Sequence, residues 1–237
     1  AREASQMADY PLAERLYRFS HGFAPQALWH KVYLGETLEA MGRDNEALVL
    51  YKEVLQAAPE SPYTAEKLDD LFLKNENTEG RLVFWRALHE QCPESTLPVL
   101  RLGKVLIEGG EYVASRQLLE ALLAREPNNN EAAFLLARAV FLSGEIEEGL
   151  QRLNDVVSAD EQYASPAGAT LATQAQQAKE MGDYVLAERL FRSAARLSPN
   201  DLWHQIYLGE TLEAMGRDNE ALVLYKEVLQ AAPESPY

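Results

Sequence analysis

Residues 33–63, YLGETLEAMGRDNEALVLYKEVLQAAPESPY, recur without a single change as residues 207–237. The likeness runs back with substitutions: MADYPLAERLYR at 7–18 aligns with MGDYVLAERLFR at 181–192, and Pro25 with Pro199. In all, 46 of 63 positions agree at a fixed offset of 174, which makes residues 175–237 a near-duplicate of 1–63. Self-similarity of this kind constrains the fold strongly, because a short repeated unit cannot bury its apolar face alone and must stack on its neighbours.

The offset is five periods of 34 with four residues to spare. The 34-residue period is visible in a ladder of prolines: Pro25, Pro59, Pro93 and Pro127, then Pro199 and Pro233. Eight residues before each stands an aromatic residue or leucine: Tyr17, Tyr51, Trp85, Leu119, Phe191 and Tyr225. Twelve before stands a small residue, Ala13, Ala47, Ser115, Ala187 or Ala221, with Arg81 the exception. Leu, Ala and Glu dominate and β-branched residues are sparse, a balance that favours helix.

This pattern resembles the tetratricopeptide repeat family. The family's Leu-Gly or Leu-Ala pair is matched by Leu34-Gly35, Leu102-Gly103, Leu136-Ala137 and Leu208-Gly209. The resemblance implies an all-α fold, a superhelical solenoid of about six to seven helical hairpins. The units read as 1–27 (lacking its first seven positions), 28–61, 62–95, 96–129 and 130–163, an inserted turn at 164–167, then 168–201 and 202–235. The incomplete first unit reads as a piece of a longer array. Identity over 31 residues exceeds what the family pattern enforces, and a recent duplication or an engineered copy would each account for it.

Within a unit, Gly or Ala at the eighth position is expected to let the two helices cross closely against the small residue at the twentieth. Gly42 is expected just past a first helix, with Asp44 or Asn45 capping the second. The terminal proline should end the second helix, since it lacks an amide proton and restricts its predecessor. Two places break the pattern. Unit 62–95 carries Asp69 at the eighth position and Arg81 at the twentieth; a compensating ion pair and a splayed hairpin with both charges in water are the two readings. At 160–167 Glu161 replaces proline and four residues are inserted, with Ser165-Pro166 resembling a fresh helix start; a hinge and a rigid longer turn are both consistent with this.

Signatures of chemistry are absent from the sequence. His21, His30, His89 and His204 show no zinc-ligand spacing with each other or with Cys92, the single cysteine. Gly109-Gly110 reads as an interhelical turn, not a phosphate-binding loop. No enzyme activity, metal or cofactor is expected. With 37 acidic against 22 basic residues and a formal charge of −15, nucleic acid is not an expected partner, and no apolar run suggests membrane insertion.

The expectation is therefore a scaffold that binds a peptide or partner protein, and the resemblance places the binding groove on the first helix of each hairpin. Carried over by position, it implies Leu97, Leu100, Lys104 and Ile107 in unit 96–129, and Phe134, Arg138 and Phe141 in unit 130–163. Tyr63 is implied in unit 62–95, with Trp29 and Trp203 in the duplicated units. Phe134 and Phe141 read equally well as core residues packed on the next hairpin. Positions 5 and 9 never pair Lys with Asn, so the family's chaperone-tail clamp is not reproduced. Head-to-tail self-association of the array is the alternative function, and the compartment is left open.

Overall fold

The computed structural model describes residues 1–24 and 26–232, residue 6 by its backbone alone; Pro25, Pro233 and the last residues of the second copy lie outside the described residues. Among the described residues every regular element is helical. The chain divides into two compact units, Ala1–Glu111 and Tyr112–Tyr237. The division falls inside the hairpin expected at 96–129, and not at the insertion near 164–167.

The first unit holds α1 (Arg2–Gln6), α2 (Tyr10–Phe23), α3 (Trp29–Ala40), α4 (Asp44–Ala57), α5 (Pro62–Lys74), α6 (Thr78–Gln91) and α7 (Thr96–Glu108). The second holds α8 (Tyr112–Arg125), α9 (Asn130–Leu142), α10 (Ile146–Ala159), a 3-10 turn (Glu161–Tyr163), α11 (Ala164–Glu180), α12 (Tyr184–Leu197), α13 (Trp203–Ala214) and α14 (Asp218–Ala231). Within each unit consecutive helices pack on one another. Helices α4, α6, α8 and α12 each stop two residues before their proline, Pro59, Pro93, Pro127 and Pro199, as the proline ladder requires.

The turn inside each hairpin places one residue in the left-handed region. Gly42, Gly110, Gly144, Gly182 and Gly216 fill it, and the equivalent residues elsewhere are Ala8 (φ 58°) and Glu76 (φ 51°). The helix cap lies one residue earlier than Asp44. Asp9, Asn77 and Asp183 occupy that position, and their side chains accept from the amides of Leu12, Gly80 and Leu186. In α4 the position belongs to Arg43, so neither Asp44 nor Asn45 is the cap. Arg43 bonds instead to Glu46 on α4 (Nε–Oε1 2.6 Å) and Glu14 on α2 (Nη1–Oε2 2.8 Å). Arg217 repeats this between Glu220 and Glu188.

The close approach at the helix crossing has an aromatic partner. A Cβ on Gly35 would stand 2.5 Å from Cε1 of Tyr51, so the glycine makes room for the aromatic ring. Gly209 does the same for Tyr225.

Where Asp69 replaces that glycine, the pocket is polar and closed. Its Oδ1 accepts from Arg81 Nε at 2.7 Å and from Trp85 Nε1 at 2.8 Å, and its Oδ2 from Arg101 Nη1 at 3.3 Å. Asp69 and Arg81 are both buried, and Arg81 also bonds Glu108. The ion pair forms, across a hairpin whose helices approach each other less closely than those of α3–α4, α9–α10, α11–α12 or α13–α14. Burying either charge alone would be costly, and mutual hydrogen bonding offsets that cost.

The insertion is absorbed by helix. Residues 164–167, expected as a turn, form the first turn of α11, which has 17 residues against 13 in α9. Four residues are close to one helical turn, so Leu171, Ala175 and Ala178 keep their buried phase. Pro166 is tolerated at the third helical position, where an amide has no intrahelical acceptor.

Candidate functional site

In the first unit, Trp29 and Tyr33 lie one turn apart on α3 and so share a face. Their rings meet edge to face at 5.9 Å, and Tyr33 also stacks on Tyr17 of α2 at 5.9 Å. The Arg2 guanidinium stands 5.4 Å from the Tyr33 ring centre, a cation–π distance. Tyr63, at the start of α5, donates its hydroxyl to Glu36 of α3. Together Arg2, Trp29, Val32, Tyr33, Val54 and Tyr63 line a shallow groove, and the Trp29 and Tyr63 side chains are exposed in it.

The charged side chain in the groove's lining is Arg2, and two acids of α3, Glu36 and Glu39, bond tyrosines beside it. The hydrogen bond to Glu36 pushes the Tyr63 hydroxyl up to about 12, with burial adding to the shift. Burial raises Tyr51 further still, aided by its hydrogen bond to Glu39. Carboxylates so placed attract a cationic visitor, and Arg2 in the lining opposes one.

The second unit repeats the aromatic pair. Trp203 stacks on Tyr207 at 5.9 Å, and Ile206, Glu210, Glu213, Tyr225 and Val228 line an apolar recess beside them. Burial raises the Tyr225 hydroxyl to about 12, with Glu213 adding to it.

The other expected groove residues lie elsewhere. Leu97, Leu100 and Ile107 are buried, and Lys104 is half-buried. Phe134 and Phe141 belong to the core of the second unit with Leu150, Leu153 and Leu171. The Phe134 ring stacks on Tyr163 at 4.9 Å, and half-buried Arg138 holds its guanidinium 5.7 Å from the Phe134 centre. These five apolar residues are therefore corrected from groove to core: each gains more from leaving water than it would by lining an open surface. Sequence reasoning missed Tyr33, Tyr207, Arg2 and Tyr163. The four-residue spacing of Trp29 and Tyr33, repeated at Trp203 and Tyr207, was the available signal for the first two.

Among the described residues no three His, Cys, Asp or Glu side chains are grouped so as to hold a metal ion. No helix there is long and apolar enough to cross a membrane.

Tetratricopeptide repeat profiles match residues 106–175 and 178–237, and a second profile of that description matches residues 32–61. More than half of the chain is covered, and the chain belongs to the tetratricopeptide repeat family. It is 31% identical over 136 residues to cellulose synthase 1 operon protein C of Komagataeibacter xylinus, a stretch that is 57% of this chain and 10% of that protein. The chain thus spans about a tenth of the length of that curated relative. In fold it is similar to a tetratricopeptide repeat protein from Parabacteroides merdae, with a TM-score of 0.59, 17% identity, and 98% and 90% of the two chains covered. It is also similar to YrrB, a tetratricopeptide repeat protein with an unusual peptide-binding site, with a TM-score of 0.50 and 13% identity over 79% and 95% of the two chains.

Proposed function

We propose that the chain is a non-catalytic scaffold that holds a peptide or an extended segment of a partner protein against the Trp29–Tyr63 groove. The observation that carries this reading is that two exposed aromatic side chains, Trp29 and Tyr63, line one groove, with Glu36 bonded to Tyr63 beside it. Exposed apolar patches rimmed by polar residues mark interaction sites, and aromatic residues dominate the energetics of interfaces. The family's general role as a protein-interaction scaffold and the peptide-binding site of YrrB support the same reading.

The chemistry of the visitor follows from the lining. An apolar side chain would lie against Trp29 and Val32, and a Lys or Arg would approach Glu36 and Glu39. The net charge of −15 assists the approach of a basic segment at low salt. Selection of a random peptide library on the intact chain tests this. Enriched peptides should combine aliphatic or aromatic residues with Lys or Arg. Enrichment of acidic peptides, or of none, would count against the reading.

A further inference from the structure

His204 lies in the first turn of α13 and is 3% exposed, as is its duplicate His30 on α3. The two rings are held differently. Nε2 of His30 stands 2.7 Å from Ser20 Oγ, and its Nδ1 is buried without a partner. In the second copy Ala194 takes the place of Ser20, and Nε2 of His204 is the nitrogen left bare. Its Nδ1 lies 3.3 Å from the Asp201 carbonyl oxygen and 3.4 Å from the Asp201 carboxylate.

The surroundings of Nε2 are tight and apolar. A Cβ on Gly168 of α11 would stand 3.0 Å from it, and 3.0 Å from Cβ of Ser198, the residue that caps the end of α12. Ala167 and Leu171 of α11, with Ala194 and Leu197 of α12, are buried in the core of the same unit. Among the described residues Asp201 is the one charged group acting on the ring; α11, α12 and α14, which all pack on α13, bring none.

A neutral imidazole suits this site. With its proton on Nδ1 the ring donates to the Asp201 carbonyl, and Nε2 is left with a lone pair only. The imidazolium carries a second donor, on Nε2, and that N–H would face carbon atoms with no acceptor in reach. Burial accordingly holds the ring below its ordinary 6.5, with Asp201 opposing the shift in part.

We propose that His204 is an acid-sensitive latch: proton uptake by its ring parts α13 from α11 and loosens the packing of α11, α12 and α13. The unfolded chain takes up this proton as pH falls through 6.5, ahead of the folded chain. The stability contributed by the neutral ring is therefore complete above 6.5 and is lost below it. Because α13 also carries the Trp203–Tyr207 pair, the surface built on those rings changes with the same protonation.

Thermal melting and hydrogen exchange of the intact chain, from about pH 7.5 to about pH 5.5, test the latch. Two variants accompany the wild type. Ala194→Ser offers Nε2 the hydroxyl that Ser20 gives His30, and His204→Asn cannot take up the proton. Each protein is compared with itself at the higher pH, so a variant of lower starting stability is still informative. The wild-type midpoint should fall, and exchange corrected for its intrinsic rate should quicken more in α11 and α12 than in α9 and α10. Both effects should shrink in each variant. A fall as large in both variants as in wild type would overturn the proposal, as would acid-induced exchange spread evenly over α9 to α12.

Discussion

Asp69 accepts hydrogen bonds from both Arg81 and Trp85 at the place where the other hairpins keep a small residue. The acid and the guanidinium are each other's compensation, and removing one leaves the other buried without its partner. Arg81→Ala or Asp69→Ala alone should each lower stability by about 3 kcal/mol. The double variant should lose much less than the sum of the two. Chemical denaturation of the full cycle measures this, and additive losses would show that the pair is not coupled.

Glu76 holds a left-handed backbone conformation that five other hairpins assign to glycine. Its side chain is exposed and the cost of the conformation is local. Glu76→Gly should therefore stabilise the first unit by about 1 kcal/mol, despite the greater freedom of glycine in the unfolded chain. A denaturation midpoint that falls would show that the turn carries no such strain.

The duplicated leucines give a contrast free of sequence effects. Leu55→Ala opens a cavity in a packed stripe and should cost about 3 kcal/mol. Leu229→Ala, in the same local sequence, trims an exposed side chain and should change stability by less than about 0.5 kcal/mol. Equal losses in thermal or chemical denaturation would mean that α14 is covered as α4 is.

Stability should fall on both flanks of pH. Tyr63 titrates at about 12 in the fold against an ordinary value near 10, so the fold favours its neutral form. That contribution is complete below pH 10 and is lost as pH rises towards 12. On the acid side, burial pushes Glu14 up, but hydrogen bonds from Arg18 and Arg43 outweigh it and hold the carboxyl below 4.5. Its contribution is present above pH 4.5 and is lost as pH falls through the lower folded value. Melting midpoints against pH should show both limbs. Tyr63→Phe should shrink the alkaline one, to which Tyr225 and Tyr51 also contribute, and Arg43→Ala should shrink the acid one.

Most of the fold is legible in the sequence because the proline ladder and turn glycines are local signals, and local signals fix where a helix ends. Ser165-Pro166 does stand in the first turn of a helix, and only the arithmetic of one turn in four residues shows that 164–167 lengthen α11 and do not form a separate turn. The groove was the hardest part to read. Positional carry-over does not tell which neighbour covers a helix face, so Trp29, Tyr63 and Trp203 are exposed while Phe134 and Phe141 lie in the core. The burial of Leu48 and the exposure of Leu222 make the same point within one sequence: identical residues differ because their neighbours do.

Titration calorimetry of a library-selected peptide, against the intact chain and a Trp29→Ala, Tyr63→Ala variant of matched helicity, tests the scaffold role most directly. Truncating a central aromatic anchor commonly costs about 2 kcal/mol, so the variant should bind at least tenfold more weakly. Equal affinity for the two proteins would contradict binding in the Trp29–Tyr63 groove.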